Sequence, residues 1–229
     1  MRLFCIAALI IAFFAVQAAA ETVSLKSEKG KRSYSIGNKI GNDFKQQSIE
    51  LDADLMARGL KDALTGKKPA MTEEAMKEVI MALQKELMAK RVAQIKEITD
   101  KNKRDGEAFL AENKKKPGVI TLPDGLQYKI ITEGTGNIPA LTDKVKVNYK
   151  GSLINGTEFD SSYKRGEPLV FEIAKFIAGW KEALTLMKEG SKWEIYVPSE
   201  LAYGDQGSGP VIGPNSVLIF EMELISIVK

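Results

Sequence analysis

The sequence predicts an α+β chain: a wholly helical N-terminal region ending in one long helix, then an antiparallel β-sheet wrapped on one short helix. Three observations predict it. Apolar residues recur every three or four positions from about Ser33 to Ile98. No proline interrupts the stretch from Met71 to Lys116. Beyond Pro117-Gly118 the pattern changes to alternation punctuated by turn signals, with only one further helical stretch.

In the helical region, Ile36, Ile40 and Phe44 are spaced by four residues, with Gly37 and Gly41 beside them. Small residues at that spacing let a second helix approach closely. Asp52 is placed to cap a second helix with Leu55, Met56, Leu60 and Leu64 on one face, and Gly66 to stop it. Thr72 opens a third helix, with Glu73 and Glu74 complementing its positive end. At 1.5 Å per residue, about forty residues would span roughly 60 Å. Met76, Ile80, Leu83, Leu87, Ile95 and Ile98 keep an apolar stripe, whereas Thr99 to Glu107 carries no large apolar residue. The first half is therefore expected to pack and the second to bridge through solvent as a stalk. A heptad coiled coil along the whole length is disfavoured, because its seam would need apolar residues past Ile98. The first two helices are short and one-sided and must bury their faces. Pairing with a second chain and a compact three-helix monomer both satisfy that need, and the pattern moderately favours the pair.

In the second region, Pro123-Asp124-Gly125 is a turn signal, and Leu126, Tyr128 and Ile130 then alternate with polar residues. Val145, Val147 and Tyr149 alternate again, and Asn155-Gly156 signals a two-residue hairpin. Phe176 to Lys188 is the one helical stretch, ended by Gly190. Trp193, Ile195 and Val197 mark another strand, Gly204 to Asn215 a Gly/Pro-rich loop, and Val217 to Val228 a last strand. The expected division is 1–20 as a signal peptide, 21–70 as an N-terminal helical dimerisation region, 71–116 as a linker helix and 117–229 as the sheet domain.

Composition excludes much. A formal net charge of +3, with lysines interleaved with acids, is too balanced for phosphate-driven nucleic-acid binding. Residues 1–20 combine Arg2, an apolar run from Ile6 to Val16, and a small-residue site at Ala18-Ala19-Ala20, as a cleaved export signal does. Cleavage after Ala20 removes Arg2 and the only cysteine, Cys5, which precedes the apolar run and is badly placed for lipid attachment. The mature chain would then have no disulfide, thiol nucleophile or thiolate metal site. The sequence has no histidine, which excludes Ser-His-Asp and HExxH chemistry. It carries neither GxGxxG nor GxxxxGK[ST], so nothing suggests a nucleotide.

The aromatic residues Tyr149, Phe159, Phe171, Trp180, Tyr203 and Phe220 are spread over strands, helix and loop. Each taken singly reads as core. Within Asn155-Gly156-Thr157-Glu158-Phe159-Asp160-Ser161-Ser162, Asp160 taken alone reads as a turn residue. The order changes that reading. Tyr149, Gly156 to Ser162, Ile177-Ala178-Gly179-Trp180, Ala202-Tyr203-Gly204 and Gly213-Pro214-Asn215 together resemble the FKBP-type peptidyl-prolyl cis-trans isomerases, over about Gly118 to Lys229. Tyr34-Ser35-Ile36-Gly37, Leu87 to Arg91 and Gly106 to Leu110 resemble the bacterial macrophage infectivity potentiator subgroup.

The resemblance implies an FKBP-like sheet, and V-shaped homodimers whose N-terminal helices intertwine. It implies prolyl isomerase activity on proline-containing peptides and unfolded or partly folded proteins, binding of macrolides such as tacrolimus and rapamycin, and no cofactor or metal. It implies a pocket of Tyr149, Phe159, Trp180, Val211, Ile212 and Phe220, with Trp180 as its floor and Phe171 and Phe176 at its edge. Ile177 would offer its backbone N–H to a substrate carbonyl, Tyr203 its hydroxyl, and Asp160 a polar handle paired with Arg165. Successive residues of a regular strand face opposite ways, so sending Phe159 and Asp160 to one cleft requires a break or bulge there. Phe176 stands where a smaller branched residue is common, Leu169 replaces an aromatic, and Gly213 a frequent proline. With the signal, the resemblance places the protein in the periplasm or at the outer membrane or cell surface of a Gram-negative bacterium. A rival reading makes it a dimeric chaperone with incidental turnover, its apolar helix faces and Met56, Met71, Met76, Met81 and Met88 gripping clients.

Overall fold

The computed structural model describes residues 25–228, so the expected signal peptide lies outside the described residues. They form two compact units that divide after Ala75.

In the first unit, α1 (Glu28–Gln46) starts at Ser27, whose hydroxyl accepts from the Gly30 N–H at 3.0 Å. The α2 helix (Ala53–Thr65) starts where Asp52 accepts from the Asp54 and Leu55 amides, both at 2.9 Å. It stops at Gly66, whose φ of 70° is the left-handed geometry that glycine adopts without a steric penalty. No residue of α1 or α2 is buried.

Helix α3 (Glu73–Asn113) runs unbroken for 41 residues. Thr72 accepts from the Ala75 amide at 3.2 Å, as its cap-forming side chain predicts. The expected solvent stalk over Thr99–Glu107 is corrected here. One face of that stretch docks on the sheet domain through Asn102 and Gly106, and the docking continues through Phe109, Leu110 and Asn113. A Cβ on Gly106 would lie 2.7 Å from Val217 Cγ2, so the missing side chain is what lets the helix approach. Asn113 donates to Gln127 Oε1 at 3.0 Å, and Gln127 Nε2 donates to the Leu110 carbonyl at 2.9 Å. The docking face uses small and amide residues, which hydropathy does not register.

The domain's seven-stranded antiparallel sheet runs β1 (Val119–Thr121), β2 (Gln127–Thr132), β6 (Lys192–Val197), β7 (Leu218–Val228), β3 (Lys144–Leu153), β4 (Glu158–Ser161). The remaining strand, β5 (Leu169–Glu172), shares one side of β3 with β4: it pairs with Lys144–Val147, and β4 with Lys150–Ser152. Between them, α4 (Ser162–Arg165) makes a single turn. The hairpin at Asn155-Gly156 has three loop residues, not two. Leu153 N–H donates to the Thr157 carbonyl at 2.9 Å, and Gly156 takes φ 84°. A type I turn followed by a left-handed residue is the usual three-residue solution.

Alternation sorts the sheet's faces. Val145, Val147, Tyr149, Ile195, Val197, Phe220, Met222 and Leu224 are buried with Trp180, Ala183 and Leu184 of α5 (Ala178–Leu184). The other face carries the Lys192–Glu221 ion pair at 2.9 Å, and there Tyr196 meets Phe109 of α3 with ring centroids 6.0 Å apart. Helix α5 is shorter than the expected Phe176–Lys188. The Thr185 hydroxyl donates back to the Lys181 and Glu182 carbonyls, both at 3.0 Å, where the helix ends.

Asp124, in the β1–β2 turn, shares a hydrogen bond with Glu182 of α5. That bond, with burial, pushes Glu182 up to about 7 from its ordinary 4.5. As pH rises the unfolded chain therefore loses this proton first. The contribution to stability is full below about pH 4.5 and is lost as pH climbs through about 7. Glu182→Gln keeps a donor that does not titrate. Urea midpoints measured from about pH 5 to about pH 8 should fall with pH in the wild type and fall less in Glu182→Gln; equal slopes would refute the pairing.

Candidate active site

The site grows from one irregularity. Gly151 pairs with Asp160 and Ser152 with Glu158, so Phe159 is an extra residue in β4. The bulge turns Phe159 and Asp160 to the same cavity, the irregularity that the resemblance implied. Gly151 makes this space: a Cβ there would lie 2.6 Å from Phe159 Cε2 and Cζ and 2.9 Å from Phe220 Cε1.

The cavity holds about 290 Å³. Trp180, 2% exposed, lies among Tyr149, Phe176 and Phe220, with ring centroids 4.9, 5.1 and 5.1 Å away. The Tyr149 and Phe220 rings stand edge-on to the indole at 81° and 82°, a favourable aromatic arrangement, while Phe176 stacks at 17°. Phe159, Ile177, Tyr203, Val211 and Ile212 complete the lining. Ile177 is the N-cap of α5, with no side-chain cap. Its amide is one of the donors that a helix start leaves without an intrahelical partner.

Two expected residues stand apart from the cavity surface. Phe171 is 8% exposed and lies behind the lining, its ring 3.9 Å from Phe176 and 5.5 Å from Trp180. Arg165 is outside, at the end of α4, and acts on the lining indirectly. It pairs with Asp160, and its Nη2 donates to the Tyr149 hydroxyl oxygen at 2.8 Å. The Tyr149 hydroxyl donates to the other Asp160 oxygen, and the Ser161 N–H donates to Asp160 Oδ1 at 2.8 Å. Burial, and then the bond to Asp160, push Tyr149 up to about 12, so it remains a neutral donor throughout the physiological range.

Sequence reasoning missed four contributors. Ser208, Gly209 and Pro210 line the cavity from the Gly/Pro-rich loop, where composition marked only a turn. Ser162 is buried; its Oγ accepts from the Tyr149 N–H at 2.9 Å and holds β3 against α4.

The cavity is thus lined mostly by aromatic and aliphatic side chains, with the Asp160 carboxylate and the hydroxyls of Tyr149, Tyr203 and Ser208 as its polar groups, a composition usual for a small-ligand site. The comparisons with known proteins give the family. Residues 29–130 match the domain amino terminal to FKBP-type peptidyl-prolyl isomerase, and residues 136–225 match FKBP-type peptidyl-prolyl cis-trans isomerase. The chain is 48% identical over 229 residues to the outer membrane protein MIP of Legionella longbeachae, covering all of this chain and 98% of that one. It is 48% identical to the peptidyl-prolyl cis-trans isomerase Mip of Coxiella burnetii, over 90% of this chain and 89% of that one. The crystal structure of FkpA from Escherichia coli superposes with a TM-score of 0.70 at 36% identity, over 88% of this chain and 97% of that one. The chain therefore belongs to the FKBP-type peptidyl-prolyl cis-trans isomerases, in the company of the Mip proteins.

Gly151→Ala tests the bulge. The methyl group must push the Phe159 and Phe220 rings into the cavity, so kcat/KM on an Xaa-Pro peptide should fall about tenfold, with stability down by about 1–3 kcal/mol. Wild-type values for both would refute the packing argument.

Proposed function

We propose that this isomerase is exported and acts by holding a twisted Xaa-Pro amide, without covalent chemistry, in the aromatic cavity. The proline ring sits on Trp180 among Tyr149, Phe159, Val211, Ile212 and Phe220. The reaction must break amide resonance, a barrier of about 18–20 kcal/mol. The twisted amide has lost conjugation and charge separation, so a dry apolar cavity favours it over the planar forms. Ile177 N–H donates to a substrate carbonyl and the Tyr203 hydroxyl donates beside it, and both orient the flanking peptide. Asp160 acts as a fixed polariser more than a free acceptor, since Tyr149, Arg165 and the Ser161 amide already occupy its oxygens. The observation that carries this reading is the convergence of Phe159, Asp160, Ile177, Trp180 and Tyr203, from three separate segments, on one cavity. A pocket of this composition should also take tacrolimus and rapamycin.

The first unit's role is homodimerisation. Leu55, Leu60 and Leu64 are 63%, 55% and 78% exposed, and a stripe of this kind is costly in water. Among the described residues nothing lies within 4 Å of where a Cβ would stand on Gly37, Gly41 or Gly59, so each leaves room for close approach. Export is supported by the pattern of residues 1–20 and by the name of the Legionella relative, an outer membrane protein. Among the described residues no helix is long and apolar enough to cross a membrane.

Two measurements test these readings. Isomerisation of a short Xaa-Pro peptide should proceed well above background and drop about three- to tenfold in Tyr203→Phe and about tenfold in Asp160→Ala; a wild type at the background rate ends the catalytic reading. Light scattering of residues 21–229 should give twice the chain mass, and a monomer mass for both this chain and its N-terminal region ends the dimer reading.

A further inference from the structure

The catalytic reading leaves one long-range polar contact unused. Asn102 lies on α3, yet its Nδ2 donates to the Pro214 carbonyl oxygen at 2.8 Å and reaches the Ser216 hydroxyl at 3.4 Å. A Cβ on Gly213 would stand 3.0 Å from the same Nδ2 and 3.5 Å from Ile98 Cγ2. The long helix thus touches the loop at residues 213, 214 and 216, immediately after Val211 and Ile212 on the cavity.

Ile212 is buried in the core, and otherwise the loop is fixed by few contacts. Ser208 and Ile212 exchange backbone hydrogen bonds of 2.8 and 3.2 Å, and the Asn215 amide donates to the Gly204 carbonyl at 2.8 Å. Gly204, Gly207 and Gly209 all take positive φ, and glycines give the unrestrained backbone many alternatives. Helix α3, by contrast, is anchored. Gly106 sits against Val217, Phe109 against Tyr196, and Asn113 against Gln127.

We propose that Asn102 is a positioning residue for isomerisation: from α3, through the Pro214 carbonyl, it fixes the cavity wall formed by Val211 and Ile212. The proposal rests on the reading that this wall contacts the peptide. Its chemistry is that of a neutral amide donor against a carbonyl acceptor. Neither an apolar side chain nor a carboxylate reproduces it.

The test is kcat/KM on an Xaa-Pro peptide, measured on residues 21–229 well below the melting temperature, with folded protein confirmed by near-UV circular dichroism. Under those conditions a general loss of stability leaves the rate unchanged. Asn102→Ala should lower kcat/KM about three- to tenfold, mainly through KM. Asn102→Asp keeps the shape but turns an acceptor toward Pro214, and should lose at least as much. Gly213→Ala presses a methyl on the Asn102 amide. Its effect should shrink at least about twofold when Asn102 is already alanine, because contacting residues are not additive. Val211→Ala reports on the wall itself. If Val211→Ala lowers kcat/KM while Asn102→Ala and Asn102→Asp stay within about twofold of wild type, the positioning role is overturned and the wall stands. If all three are unchanged, the wall reading fails and takes this proposal with it.

Discussion

Where β3 carries Gly151, the strand has a bare Cα, and the Phe159 and Phe220 rings close over it at distances a methyl group would forbid. That absence organises the rest of the cavity. It admits Phe159 as an extra residue in β4, and the extra residue puts Asp160 on the same side. Asp160 then meets the Tyr149 hydroxyl from the neighbouring strand and Arg165 from the turn that follows. Phe220, held edge-on to Phe159 at 86°, completes the contact with the indole of Trp180. A single small residue thus links a strand register to an aromatic cavity and to the one carboxylate on its lining.

The polar cluster is modest in energy but definite in geometry. Asp160 and Arg165 have about two-fifths of their side-chain surface exposed, so the pair itself adds little stability. Its value lies in orientation: three donors from different elements converge on one carboxylate. The buried Tyr149 is held neutral and donating. Such a network places fixed dipoles beside an apolar volume.

Much of this was legible in the sequence. Alternation located the strands, Asp52, Gly66 and Thr72 marked the helix ends, and the family resemblance, by sending the adjacent Phe159 and Asp160 to one cleft, implied the bulge. Other features were hidden for physical reasons. Between Ile98 and Phe109 the docking face of α3 presents Asn102 and Gly106, and hydrogen bonds and close approach leave no apolar period to read there. Phe171 and Phe176 are both aromatic and five residues apart, but only the packing of Phe171 behind Phe176 distinguishes core from cavity surface. The hairpin at Asn155-Gly156 contains its expected dipeptide in a loop one residue longer, because Gly156 supplies a left-handed residue in either turn.

The sequence by itself determined the element types, the burial of alternate strand residues, and the chemistry excluded by an absence of histidine. These follow from local periodicity and from residue inventory, which need no knowledge of distant neighbours. Only the tertiary structure decided that Asp160 accepts from Tyr149, Arg165 and the Ser161 amide, and that the polar half of α3 lies on the sheet domain. Only it brought the loop beyond Tyr203 between the cavity and that helix. Each of these is a contact between residues far apart in the chain or across a bulge. Its energy depends on distances of a few tenths of an ångström, and no pattern along one dimension carries them.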